Sequence, residues 1–201
     1  MHKELQGFGD MAEVSYGASV VSGESVGIEG YYHVECRDKD GNFKWEESFP
    51  NLVNAIGKQL LLDTLLRTSG TYTTVGPFLG LINSSPTFLA ADTMTSHAGW
   101  TEFIAYTVSA SPVRGTAVFA ASTSSGLSPA NITSSLATAI TYTITGAGGT
   151  VAGCFLVTGA GAVSTQSSTA GTLYSAGAFA AAKITTVGDT VSVTYSTTAT
   201  S

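Results

Sequence analysis

The chain has 201 residues, 43% of them hydrophobic and only 11% charged, and its 8 Lys and Arg against 14 Asp and Glu leave a net charge of −6. An average domain is roughly a quarter charged, so a highly charged disordered chain is excluded, and the few scattered cations exclude the converging basic groups that a phosphate backbone demands. No apolar run approaches the roughly 18–20 residues of a spanning helix, and Met1–Met11 lacks the basic-then-apolar order of a signal peptide. Neither nucleic acid nor membrane is expected as a partner, and the chain reads as soluble and made in the cytoplasm.

Residues 1–27 read as an extended N-terminal arm. Gly7, Gly9, Gly17, Gly23 and Gly27 interrupt any periodicity, so the segment contributes no clear core element. Phe8, Met11, Val14 and Tyr16 nevertheless make it more apolar than a solvating tail. Two readings stand side by side: a disordered terminus, or a partner-binding arm with those four residues as anchors. Residues 28–201 form a single domain in this reading.

Within the domain the first pattern is a strand. Ile28, Tyr32, Val34 and Cys36 alternate with Tyr31, His33, Glu35 and Arg37, the period of a half-buried β-strand. The turn Asp38–Asn42 carries Gly41, and Phe43, Trp45, Glu47 and Phe49 line one face of a returning strand, which completes a hairpin. Pro50 and Asn51 break the sheet. Ile56, Leu60, Leu61, Thr64 and Leu65 then recur at helical spacing, which predicts one helix over about 53–67, packed by its leucines on a sheet face.

Strands and turns make up the rest. Strands are expected at 78–82, 103–108, 116–121, 139–145, 151–158, 172–179 and 190–196, separated by Gly- and Ser-rich turns. Residues 159–171, all Gly, Ala, Ser, Thr, Val and Gln, are expected to form a mobile loop. Many short strands at regular spacing with one helix predict a mainly β fold, an antiparallel β-sandwich of jelly-roll or Ig-like type. Cys36 and Cys154 both fall in strands, and they are expected to be buried free thiols rather than a disulfide.

Candidate chemistry is sparse. His97 stands near Asp92, Glu102 and several serines, the ingredients of a triad. No Gly-x-Ser-x-Gly elbow accompanies them, and a loop histidine fixing a turn is the stronger reading. Asp38-Lys39-Asp40-Gly41-Asn42 resembles a calcium loop but lacks the closing bidentate Glu. No phosphate-binding glycine loop and no Cys or His pair at metal spacing occurs. The expectation is a non-enzymatic protein without catalytic, cofactor or metal residues.

Charge is also unevenly spread. After Arg67 the only charged residues are Asp92, Glu102, Arg114, Lys183 and Asp189. Interspersed surface charge normally maintains solubility, so a near-neutral stretch of this length predicts cover by partner chains, most simply in a homodimer or homotrimer.

Several stretches carry a resemblance: Tyr31-Tyr32-His33-Val34-Glu35-Cys36-Arg37 with the following turn, Gly57–Asp63, Phe78–Ile82, and above all Ala91-Asp92-Thr93-Met94-Thr95-Ser96-His97-Ala98-Gly99-Trp100-Thr101-Glu102. Gly171–Gly177 and Gly188–Tyr195 belong to the same pattern. Over residues 28–196 the chain resembles small virion structural proteins of tailed bacteriophages. The resemblance implies a capsid decoration, or cement, protein on the outer capsid surface of a virion assembled in the host cytoplasm, with the major capsid protein as partner. A tail, neck or fibre-base component is the alternative. A cell-surface glycan-binding module is a more distant one, with Trp100, Tyr106 and Tyr72 as its candidate aromatics. The resemblance implies no catalytic residues.

Overall fold

The computed structural model describes residues 27–66, 76–83, 86–125 and 131–200. The arm anchors Phe8, Met11, Val14 and Tyr16, and also Tyr72, lie outside the described residues. The alternating stretch forms β1 (Gly27–Arg37), and the turn returns it as β2 (Phe43–Pro50). Gly41 takes φ +85°, and the Asp38 carboxylate accepts the backbone N–H groups of Asp40 and Asn42, which ties the turn from inside. The row Phe43, Trp45, Glu47, Phe49 shares one side as expected, but only its last member is fully buried.

Two antiparallel sheets pack face to face as a β-sandwich. The seven-stranded sheet contains β1, β2, β6 (Tyr106–Thr107), β8 (Thr123–Ser125), β9 (Asn131–Ser135), β10 (Ile140–Ile144) and β13 (Thr190–Thr200). The six-stranded sheet contains β3 (Leu52–Val53), β4 (Phe78–Asn83), β5 (Thr101–Phe103), β7 (Gly115–Thr116), β11 (Gly149–Thr158) and β12 (Thr172–Thr185). β1 runs the full length of β13, with Gly27 opposite Thr200 and Arg37 opposite Thr190.

The main core lies between the sheets. Tyr32, Val34 and Cys36 of β1 and Val191, Val193 and Tyr195 of β13 face Leu79, Leu81, Cys154 and Leu156 of the second sheet. Buried tyrosines need partners for their hydroxyls, and these find them across the sandwich. Tyr32 Oη bonds Ser175 Oγ at 3.2 Å, and Tyr142 Oη donates to the Leu79 carbonyl at 2.8 Å. Both cysteines are buried and unpaired. Burial pushes the Cys36 thiol up to about 11, and burial also raises that of Cys154.

The six-stranded sheet is covered on its other face as well. Ile82, Phe155, Val157, Leu173 and Ala176 pack there against Met94 and Trp100 from the 86–100 loop. This is why β11 reads as a continuous apolar run rather than an alternation.

α1 (Ala55–Leu66) begins where the Ala55 N–H donates to Ala90 and the Asn54 side chain donates to Leu89 and Asp92 carbonyls. Its approach to β12 is set by Gly57, where a Cβ would stand 2.5 Å from the Tyr174 carbonyl oxygen. That contact turns Ile56, Gly57 and Leu60 inward and corrects the expected leucine stripe. Leu61 is 40% exposed, Leu62 54% and Leu66 71%. A backbone-to-backbone seat at Gly57, not the leucines, selects the buried face.

Five further expectations change, the first being the strand expected at 116–121, where the structure has only β7 (Gly115–Thr116) and an isolated bridge at Phe119. The strand expected over 103–108 is two strands, β5 and β6, in opposite sheets, so Phe103 and Tyr106 enter the core from different sides. β12 continues past Phe179 to Thr185, and β8 and β9 arise where no strand was read. The segment 159–171 is not loose: Arg114 N–H donates to Ser164, Gln166 donates to the Tyr106 carbonyl, and Val113 bridges Thr165. Small side chains allow this close backbone pairing, which composition alone had read as mobility.

Candidate functional site

Asp92, His97, Trp100, Glu102 and Arg114 meet in one place, at the end of the six-stranded sheet. β5 supplies Glu102, the strand-entry residue Arg114 comes from just before β7, and the 159–171 segment closes over both. Arg114 Nε and Nη2 donate to the two Glu102 oxygens at 3.0 and 2.7 Å. Side-chain exposure of the pair is 1% and 7%, so this is a bidentate ion pair removed from water. Nη2 also donates to the Ser168 carbonyl, and Glu102 accepts the Ser167 N–H at 2.8 Å. The guanidinium carbon lies 5.0 Å from the Phe155 ring centre, within cation–π range.

Beside this pair, Trp100 donates its indole N–H to Asp92 Oδ2 at 3.3 Å, and the same oxygen accepts the Leu89 N–H at 3.0 Å. The His97 ring stacks on Trp100 with centres 3.9 Å apart. Its Nδ1 lies 3.0 Å from the Trp100 carbonyl oxygen; because a carbonyl only accepts, Nδ1 carries the proton. Met94, His97, Trp100, Glu102, Arg114 and Ser168 line a cavity of about 230 Å³.

These contacts decide what the cluster does. Asp92 is occupied by Trp100 and Leu89, Glu102 by Arg114 and the Ser167 N–H, and His97 by its own turn. The three residues are near one another, yet none is oriented by another in the order a triad needs. Of the glycan-module aromatics, Tyr106 is a buried core side chain, and Trp100 borders the cavity while itself only 4% exposed. Among the described residues no group of three or more His, Cys, Asp or Glu is placed to hold a metal ion, and no helix is long and apolar enough to cross a membrane.

The same contacts alter the surface. Asp92, Glu102, Arg114 and Asp189 are buried, with Asp189 bound to Lys44 and Thr186. Burial would raise the Asp189 carboxyl, but those bonds outweigh it and hold it below the usual range. Lys183 pairs with Glu47 at 2.8 Å. Every charge after Arg67 is therefore internal or paired.

Exposed apolar side chains of this half include Leu89, Ile104, Val118, Ile184 and Val187. Together with the outward leucines of α1 they are the residues that sequence reasoning missed. Helical spacing puts Leu61 in the stripe expected to pack inward, and only the glycine seat shows that it and Leu62 turn outward.

No known protein family, curated protein or solved structure matches the chain.

Proposed function

We propose that the chain is a non-enzymatic virion structural protein of a tailed bacteriophage, a capsid decoration protein that binds the major capsid protein and copies of itself on the outer shell. One observation carries the reading. From residue 76 onward the described surface has no unpaired charge, while Leu89, Ile104, Val118, Ile184 and Val187 stand exposed on it. A surface of this kind favours burial against other chains. The resemblance of residues 28–196 to small phage virion proteins is what supports reading those chains as capsid protein and sister copies. In this role the protein adds buried area across shell junctions, and repetition multiplies contacts that are individually modest.

The test is a phage lacking the protein. Its particles are expected to assemble but to release DNA at lower temperature, or sooner after osmotic shock, than complete particles. Stoichiometry against the major capsid protein should correspond to hundreds of copies per particle. Particles of full stability that fail to attach to cells, or about a dozen copies per particle, would instead favour a tail, neck or fibre-base role.

A further inference from the structure

We propose that the outer face of the seven-stranded sheet carries a carbohydrate-binding site, in which the Tyr31 ring stacks on a neutral hexose and the surrounding hydroxyl groups hold the sugar's rim. Register fixes the outward residues. Tyr31 stands between Pro50 of β2 and Ser196 of β13, and Ser196 stands opposite Ser135 of β9. One step along β1, His33 stands between Ser48 and Thr194. The outward residues Glu29, Tyr31 and His33 are exposed, Tyr31 to 48%. Two grooves meet at Tyr31 and Ser196, which border both. The larger, of about 500 Å³, reaches Glu29, Pro50, Asn51 and Thr198. The smaller, of about 180 Å³, reaches His33, Ser135 and Thr194. Small-molecule sites run roughly 300–1,000 Å³, so the larger groove has room for a sugar.

The chemistry of these walls selects the ligand. An aromatic face carries a negative quadrupole, and a pyranose ring offers it C–H groups on a flat side, with hydroxyls around the rim. Around Tyr31 the sheet presents hydroxyls, which both donate and accept. Among the described residues, those of Tyr31, Ser135 and Ser196 have no protein partner, and Asn51, which lines the larger groove, keeps an unpartnered Oδ1. The His33 ring is held ready by Ser48, at 2.8 Å. The cations of this face, Arg37 and Lys44, are paired with Glu35 and Asp189. Glu29 and Glu46 remain, and they repel acidic sugars and nucleic acid. An apolar protein surface would strip water from the hydroxyls without bonding them. The assignment rests on this sheet face alone and goes beyond the virion reading.

The experiment titrates the purified full-length chain with cellohexaose, maltohexaose or mannohexaose and follows its backbone amides by NMR. At least one of these neutral sugars is expected to shift the amides of Tyr31, His33 and Ser196, while an acidic hyaluronan hexasaccharide leaves them in place. Tyr31→Ala should weaken binding about tenfold, as loss of an aromatic stacking contact implies, and Tyr31→Phe, which keeps the ring, should retain it. Ser196→Glu, which sets a carboxylate where the two grooves meet, should remove binding by a second route. No shift with any of the three sugars would overturn the proposal, as would binding that Tyr31→Ala leaves intact or that hyaluronan matches. Shifts of the same amides on raising the protein concentration alone would also overturn it and assign the face to a second copy. No particle enters the assay, so its outcome is separate from that of the virion reading.

Discussion

Arg114 and Glu102 show how little of a residue's role follows from its type. In the sequence Glu102 is a candidate triad acid and Arg114 one of few scattered charges, yet they are a buried bidentate pair holding the 159–171 segment against the sheet. Removing one partner leaves the other charge without compensation, which costs about 3–5 kcal/mol. Arg114→Met is therefore expected to lower the urea midpoint sharply at neutral pH. The double variant Arg114→Met/Glu102→Gln should lose less than the sum of the single changes, because the two residues share one interaction. Additive losses would show that the pair is not coupled. His97→Ala, by contrast, removes a ring stack and one turn hydrogen bond, and its effect should be confined to stability.

At the scale of elements, α1 gives the clearest case of packing overriding propensity. Gly→Ala inside a helix ordinarily stabilises by about 1 kcal/mol. At Gly57 the added methyl would stand 2.5 Å from the Tyr174 carbonyl oxygen and 2.9 Å from its Cα, so the helix must lift from β12. Gly57→Ala is expected to destabilise by about 1–3 kcal/mol, the usual cost of overpacking, and a thermal melt at higher temperature than the parent would refute this. The hairpin was legible in the sequence because its alternation and its turn chemistry agree. The helix was legible as an element but not in its orientation, since a glycine seat leaves no mark in a hydrophobic stripe. β8, β9 and the far half of β12 were not legible, because Ser, Thr and Ala runs carry no period-two contrast. The cluster around Trp100 was legible only as a list of nearby residues. Which atom bonds which depends on β5 and β7 meeting at β4, a pairing distant in sequence.

For the whole molecule, the shifts of the buried tyrosines and cysteines all point one way. Burial raises Tyr32, Tyr106 and Tyr142, pushes Tyr195 up to about 12 and Cys36 up to about 11, and raises Cys154. Unfolded, these groups titrate near 8.5 for Cys and about 10 for Tyr. Above roughly pH 8.5 the unfolded chain therefore releases protons that the folded chain keeps, and stability must fall as pH rises. It is full below that range and lost progressively toward the folded values. The urea midpoint should decline from pH 8 to 11, with the absorbance of the four buried tyrosines, Tyr32, Tyr106, Tyr142 and Tyr195, appearing together with unfolding; ionisation of all eight tyrosines in the intact fold would contradict it.

The pairing of Gly27 with Thr200 also fixes how the domain carries mechanical load. A pull that separates these two residues opens the β1–β13 ladder from its end, so each bonded pair meets the force alone and in turn. A pull between Gly27 and the far end of the sandwich, where Ile184 and Val187 stand exposed beside the Arg37–Thr190 end of that ladder, runs along the strands instead. The hydrogen bonds of an antiparallel ladder lie across the strands, and in that direction the whole ladder shares the force. Tethered by its N-terminal side at one end and gripped at the other, the domain is a strap; held by both termini, it is a zipper.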